Sequence, residues 1–381
     1  MPSGMGGLIG VWVVAFVIVG HLVLVRGMFT WWYERGLPQR LWHVIAALHF
    51  VVAIAGAAVV ANALDRPWDR IRPVTIAYGA ACLIALVIGA VVLALRKLNG
   101  RVAADVVTRG EVLDGCVALH RVPAGDGLLG QFARRLPRNE IFTVEFVERE
   151  LDIPRVPAAL DGLSILHLTD LHMNGTPDRS FFEWACARCL EHPVDIVAMT
   201  GDVIDRLDLL DWLPTTLGRF VGRAKLGCYF VLGNHDLHVG GDEIRAAMER
   251  IGWTNLAGRA LRREVNGHAM VLTGTERPWA GDDPPLADPQ SASLRILLSH
   301  APHLVRRARR QLIDLMLAGH LHGGQVRWPL IGSLSGGRFQ RGLFDLPPTL
   351  LHVSRGLGQM APYRWRCRPE VTRLILRAAA Q

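Results

Sequence analysis

The sequence predicts an α/β domain over residues 139–381, preceded by a helical region over 1–98 that crosses a membrane. Three observations predict this. Three long uncharged runs fill the first hundred residues. From Leu163 onward, short apolar runs recur, each ending in a cluster of Asp, His or Asn. Helical patterns at Phe181–Leu190 and Glu243–Ile251 lie between some of these runs, which is the layering of α/β proteins.

Half of the 381 residues are hydrophobic, and mean hydropathy is +0.24. The excess sits in the first hundred residues, where the expected spans cover about 6–25, 41–64 and 74–95. Each meets the roughly 20 residues needed to cross a hydrocarbon core about 30 Å thick. The first run lacks a basic leading segment and a small-residue cleavage site near Arg26, so it reads as an uncleaved anchor. His21, His43 and His49 lie in or beside these runs without an acidic partner, and are read as packing residues rather than a heme site or proton relay.

Orientation follows from Lys and Arg in the short flanks. Arg26, Arg35, Arg40, Arg96, Lys97, Arg101 and Arg109 share one side, against Arg66, Arg70 and Arg72 on the other. The richer side faces the cytoplasm, and the C-terminal domain goes with it. Residues 99–138 read as a connector at or near the membrane surface. The alternation over Glu140–Asp152 reads as the first strand of the catalytic domain.

A net charge of +8 suits anionic partners, whether a phospholipid surface, a phosphorylated substrate or nucleic acid. The six cysteines form no disulfide framework. Cys186 and Cys189 lie three apart in a helical pattern with no second pair, and are read as structural.

Five apolar runs lead to polar clusters. Leu163–Thr169 leads to Asp170 and His172, and Asp195–Thr200 to Asp202 and Asp205. Gly227–Leu232 leads to Asn234, His235 and Asp236; Arg295–Ser299 to His300; Asp314–Ala318 to His320 and His322. Such runs read as buried strands, and ligand sites form beyond the carboxyl ends of strands in these sheets. Asp, His and a neutral amide oxygen suit borderline divalent ions. Asp170, His172, Asp202, Asn234, His300, His320 and His322 are too many for one tetrahedral ion, and fit two ions sharing a carboxylate. Such a pair polarises a phosphoryl group and supplies a nucleophile at neutral pH. Gly201, Gly233 and Gly319 stand just before ligands at the sharp turns.

On these motifs, from Asp170-Leu-His172 to Gly319-His320-Leu-His322, the sequence resembles the calcineurin-like metallophosphoesterase superfamily, from about Leu163 to the C-terminus. Gly323-Gly324-Gln325 and Val353–Gly358 look like a bacterial membrane-associated phosphodiesterase branch. The resemblance implies a four-layer αββα sandwich and a metal-dependent phosphoric ester hydrolase at the bacterial inner membrane. It also implies ligand sets: Asp170, His172, Asp202 and His322 for one ion; Asp202, Asn234, His300 and His320 for the second. Manganese is the expected metal, with iron or zinc as alternatives. His235 would protonate the leaving oxygen or stabilise the phosphoryl charge, with Asp205 orienting it. The role of Asp236 is left open.

The expected substrate is a phosphodiester, phosphomonoester or pyrophosphate in a lipid or lipid-linked molecule, for example a UDP-acylated sugar or a phospholipid. A nuclease or nucleotide phosphodiesterase, and a non-catalytic scaffold or sensor, are the competing readings. His238 is a candidate substrate contact. His167 and His303 are read as packing or supporting residues, and His192, His268 and His352 join no cluster. Val305–Arg310 reads as a solvated helix face. The tail Pro362–Arg368, which interleaves aromatics with arginines, reads as lying in a membrane interface.

Overall fold

The structure is a computed structural model that describes scattered helical residues between 12 and 58, and then residues 73–99, 107–282, 284, 292–328, 332–333 and 338–378. The chain divides into two compact units, one ending at Gly100 and the other holding Arg101–Leu334 and Arg338–Gln381.

In the first unit, helix α1 (Pro73–Asn99) runs for 27 residues over the third expected span. Its side chains are described without a break over 76–91. Of the span expected at 6–25, residue 12 and residues 15–25 are described, all helical, whereas the span expected at 41–64 falls largely outside the described residues, as do His43 and His49. Among the described residues no helix is long and apolar enough to cross a membrane, so the three-span region finds no support there. His21 is buried, with Nδ1 2.5 Å from Tyr78 Oη.

The second unit begins earlier than the sequence suggested. The expected connector supplies β1 (Val107–Asp114) and helices α2 (Gly115–Ala118) and α3 (Leu128–Arg135). Strand β2 (Thr143–Ile153) is therefore the second strand of the domain, paired antiparallel with β1. The run Val107–Asp114 escapes notice because its polar residues fall on both faces of a strand at the sheet edge.

Then follow β3 (Ser164–Leu168), α4 (Arg179–Cys189), β4 (Val194–Thr200), β5 (Ala224–Val231), α5 (Asn234–Arg250) and β6 (Thr254–Asn255). The second half holds β7 (Ala260–Val265), β8 (His268–Thr275), β9 (Leu294–Ser299), α6 (Val305–Arg310) and β10 (Leu315–Ala318). A small hairpin, β11 (Arg327–Trp328) and β12 (Gly332–Ser333), precedes β13 (Gly342–Leu346), β14 (Thr349–Val353) and β15 (Glu370–Ala378).

One sheet has the order β1-β2-β15-β3-β4-β5-β6, and the other β13-β14-β10-β9-β8-β7. Strand alternation explains the layers. Ile165, Ile196 and Ala198 join Leu272, Ile296 and Leu317 in a core between the sheets. Their neighbours Leu166, Val197 and Met199 face outward onto Phe181, Phe182 and Ala185 of α4 and Ile244 of α5. On the far side, Leu297 and Met316 pack on Val305 and Ala308 of α6. Helix, sheet, sheet and helix make the expected four-layer sandwich. Asp178 caps α4 by accepting from Phe181 N, and each fully buried Phe of that helix contributes roughly 1.5–3 kcal/mol.

Candidate metal centre

Strands β3, β4 and β5 are mutually parallel, as are β8, β9, β10 and β14. Their carboxyl ends therefore open on one rim. The loops there are bound to one another: Asp170 N donates to Gly201 O, His172 N to Asp202 O, and Gly319 N to His300 O.

Three donor groups form on this rim, the third of which, His172, Asp205 and His235, shares His172 with the first. In the first, Asp170, His172 and His322 are all buried and have ligand atoms within 4.8 Å of one another. His172 Nε2 lies 3.1 Å from His322 Nε2 and 3.5 Å from Asp202 Oδ2. In the second, Asp202, His300 and His320 come together, with His300 Nε2 3.0 Å from Asp202 Oδ2 and also 3.0 Å from His320 Nδ1. His300 Nδ1 is 2.7 Å from Thr200 O, which fixes the ring and leaves Nε2 turned to the cluster. Asp202 Oδ2 thus faces a histidine of each cluster.

The residues fit a metal pair on an independent observation. Asn234 Oδ1 is buried without a hydrogen-bond partner, a costly state for an amide oxygen unless a cation completes it. Backbone conformation agrees. Asp170, His172, Asp202, His320 and His322 all lie in the left-handed region, with φ of 49°, 42°, 54°, 74° and 48°. Such residues cost on the order of 1–3 kcal/mol each and cluster at functional sites. Gly319 has no room for a side chain, since a Cβ would land on Thr169 Oγ1 and Asp170 Oδ2.

The electrostatics point the same way. Burial lowers the affinity of His172 for a proton, but the Asp205 hydrogen bond and the charges of Asp202, Asp205 and Asp170 more than offset it, raising its pKa to about 9. His300 is likewise pushed down by burial and raised to about 9 by Asp202, Asp170 and the Thr200 carbonyl. Burial would raise Asp202, yet His300 and His172 hold it down at about 2. These shifts report the carboxylates of Asp170, Asp202 and Asp205 gathered around the two rings, a donor set suited to a divalent cation. Burial brings His320 down to about 3, which keeps its imidazole neutral and able to ligate.

Asp205 lies between the first cluster and His235. Its Oδ1 is 2.9 Å from His172 Nδ1 and 3.2 Å from His235 Nδ1. The His235 ring stands nearly perpendicular to that of His172, with centroids 4.8 Å apart. Asp236, whose role the sequence left open, spends its carboxylate on backbone N–H groups. It is fully buried and accepts from Val203 N, Ile204 N and Gly233 N, clamping the β4 and β5 loops together. His238 is exposed on α5.

Several residues at the site had no motif to mark them. Thr169 Oγ1 donates to Asp170 Oδ2 at 2.7 Å. The Trp279 ring lies 4.9 Å from His320 and 5.5 Å from His300. Glu276 accepts from Leu232 N and binds Arg245 through both oxygens, tying α5 to the end of β5. Arg364 is fully buried: Nη2 lies 3.2 Å from His322 Nδ1 and donates to Arg355 O and Gly358 O, while Nη1 donates to Cys367 O.

Arg364 corrects the interfacial reading of the whole tail. Arg364 and Cys367 point into the domain, while Arg366 is exposed. Gln325 holds this stretch by donating to Ala361 O and Tyr363 O. Gly323, at φ +61°, lies against Arg355 and Cys367, where a Cβ would approach Cys367 Sγ to 2.8 Å. The alternation of aromatic and basic residues in the tail hides which of them turn inward.

The residues set aside lie where packing puts them. His167 is buried between His352 and Thr200, and burial pushes its pKa well down. Burial brings His303 to about 4. Cys186 and Cys189 are free thiols on α4, and burial pushes Cys186 up to about 12. Val305 and Ala308 of α6 face the core, while Arg306, Arg309 and Arg310 face solvent.

A two-sheet sandwich with Asp, His and Asn donors at five strand ends defines a metallophosphoesterase, a metal-dependent phosphoric ester hydrolase. The chain belongs to the calcineurin-like phosphoesterase family, whose pattern matches residues 163–324. It is 31% identical over 221 residues to phosphodiesterase YaeI of Escherichia coli, covering 56% of this chain and 81% of that protein. It is 28% identical over 264 residues to a transmembrane protein with metallophosphoesterase domain from Danio rerio, covering 61% and 57%. Against UDP-2,3-diacylglucosamine pyrophosphatase LpxG of Chlamydia trachomatis, identity is 27% over 285 residues, covering 58% and 85%.

Proposed function

We propose that the chain is a membrane-anchored dinuclear phosphoesterase acting on a phosphodiester, phosphomonoester or pyrophosphate bond in a lipid or lipid-linked substrate. The observation that carries the site assignment is the convergence of two donor clusters on Asp202, together with the buried, unpartnered oxygen of Asn234. Asp170, His172, Asp202 and His322 hold one ion, and Asp202, Asn234, His300 and His320 the other. Manganese is the first choice, with iron or zinc as alternatives. When bound, the ions supply Lewis-acid polarisation of the phosphoryl group and a nucleophile at neutral pH.

The remaining chemistry belongs to the side chains. With Nδ1 beside Asp205, His235 has Nε2 left to carry the proton for the leaving oxygen. Asp205 orients that ring and, through His172 Nδ1, a ligand ring as well. His238 is the candidate substrate contact.

The lipid reading draws on the apolar runs of the first hundred residues and on the names of two relatives. One of these is called a transmembrane protein, the other a pyrophosphatase of a diacylated UDP-sugar. We place the chain in the bacterial inner membrane with the catalytic domain on the cytoplasmic side, following the Arg and Lys bias. The test is a panel of soluble and acylated phosphate esters turned over by the full chain in detergent with Mn²⁺. Preference for acylated substrates by roughly tenfold or more in kcat/KM supports this function, a difference of about 1.4 kcal/mol in transition-state binding. Equal turnover of both classes contradicts the lipid assignment.

A further inference from the structure

Helix α3 carries its amphipathic pattern the wrong way round for a soluble domain. Its sequence over Leu128–Arg135 places Leu128, Leu129 and Phe132 on neighbouring turns, and these are 75%, 41% and 61% exposed. The residues that face the domain are Gly130 and Ala133. Gly130 sits so close that a Cβ there would land on Ala124 O. A surface helix ordinarily buries its large apolar side chains and exposes its small and polar ones.

The apolar surface continues beyond the helix. Val122, six residues before it in the chain, is 41% exposed, and Met360 is 52% exposed. The loop that carries Met360 is tied to the end of α3: Asn139 Nδ2 donates to both Ala133 O and Pro362 O, and Tyr363 Oη donates to Pro137 O. The same loop reaches the metal rim, where Gly358 N donates to Asp170 O at 2.7 Å. The apolar surface thus borders the site.

Its margin is basic. Arg134, Arg135 and Arg138 are all exposed at the carboxyl end of α3, and Asp126 is the one acidic residue between Gly115 and Arg138. Large apolar side chains beside a cluster of arginines match the acyl boundary and the headgroups of an anionic bilayer, which is how interfacial helices bind. Isolated apolar residues on a surface need no explanation, but a contiguous set does.

We propose that α3 and the Met360 loop form a monotopic docking surface for an anionic phospholipid bilayer, holding the metal rim against the headgroups. The proposal rests on the reading that the enzyme works at a membrane, and adds a second contact made by the catalytic domain itself.

The test uses the full chain reconstituted into vesicles of phosphatidylethanolamine and phosphatidylglycerol. Leu128→Cys and Phe132→Cys are each labelled with an environment-sensitive fluorophore, with Leu312→Cys, 40% exposed elsewhere on the domain, as the reference. Signal from the native thiols is subtracted using the labelled unsubstituted chain. Nitroxide-bearing lipids are expected to quench the label at 128 and 132 several-fold more than at 312. Arg134→Glu with Arg135→Glu is expected to reduce that excess. Equal quenching at all three positions overturns the proposal, as does a blue-shifted label at 128 that lipid nitroxides do not reach, because protein then covers the surface. If the chain floats with the vesicles while α3 is not quenched, this contact fails and the anchor stands. If the chain does not float at all, both fail.

Discussion

Asp205 Oδ1 lies 3.2 Å from His235 Nδ1, and the same oxygen lies 2.9 Å from His172 Nδ1. One carboxylate therefore supports the proposed proton donor and a proposed metal ligand together. The two histidine contacts hold its pKa well below the usual carboxylate range, although burial opposes them.

Replacing this carboxylate should injure both functions. Asp205→Asn keeps the shape but loses the charge, so metal affinity is expected to fall by about 10–100-fold. Turnover at saturating metal should fall as well, because His235 loses its orienting partner. Titration of the purified variant with Mn²⁺, followed by kinetics at saturation, separates the two effects.

Asp202 faces both clusters, so Asp202→Asn should abolish binding of both ions together with activity. Metal analysis of the purified variant checks this. Retention of one tightly bound ion would mean that the carboxylate is not shared.

Metal uptake should depend on pH with a definite sign. His172 and His300 hold protons up to about 9, and an ion must displace them. Apparent affinity should therefore rise with pH from 6 to about 9, by roughly tenfold per unit for each proton displaced. Proton release on Mn²⁺ addition, measured in two buffers of different ionisation enthalpy, reads this directly.

Arg364 gives a stability prediction. Arg364→Leu leaves the carbonyls of Arg355, Gly358 and Cys367 without their donor. Orphaned buried groups cost about 1–3 kcal/mol each, so the thermal midpoint should fall by several degrees. Because Nη2 also faces His322 Nδ1, metal affinity should drop in variants that still fold.

The candidate site was legible in the sequence because each donor follows a buried parallel strand. A run such as Asp195–Thr200 announces both the strand and the turn that carries Asp202. The central sheets were legible for the same reason. Supports such as Arg364, Thr169 and Trp279 were not, because a buried arginine and an exposed one look alike in a chain. Strand β15, which pairs with β2 and β3 from the far end of the sequence, depends on contacts that no local pattern encodes. Strand β1 was missed because it lies at a sheet edge and carries polar residues on both faces, so no apolar alternation marks it. Asp236 shows the converse: it stands among site residues in the sequence, yet it serves the backbone of two loops.

The most direct measurement is hydrolysis of a chromogenic phosphodiester by the detergent-solubilised full chain with Mn²⁺, alongside His235→Ala, with bound metal counted in both. The account predicts two ions per chain in each protein, activity in the unsubstituted chain, and turnover lower by roughly 10²–10⁴ in the variant. A chain that binds no metal and stays inactive after metal is added would contradict it, as would a His235→Ala variant that loses its ions.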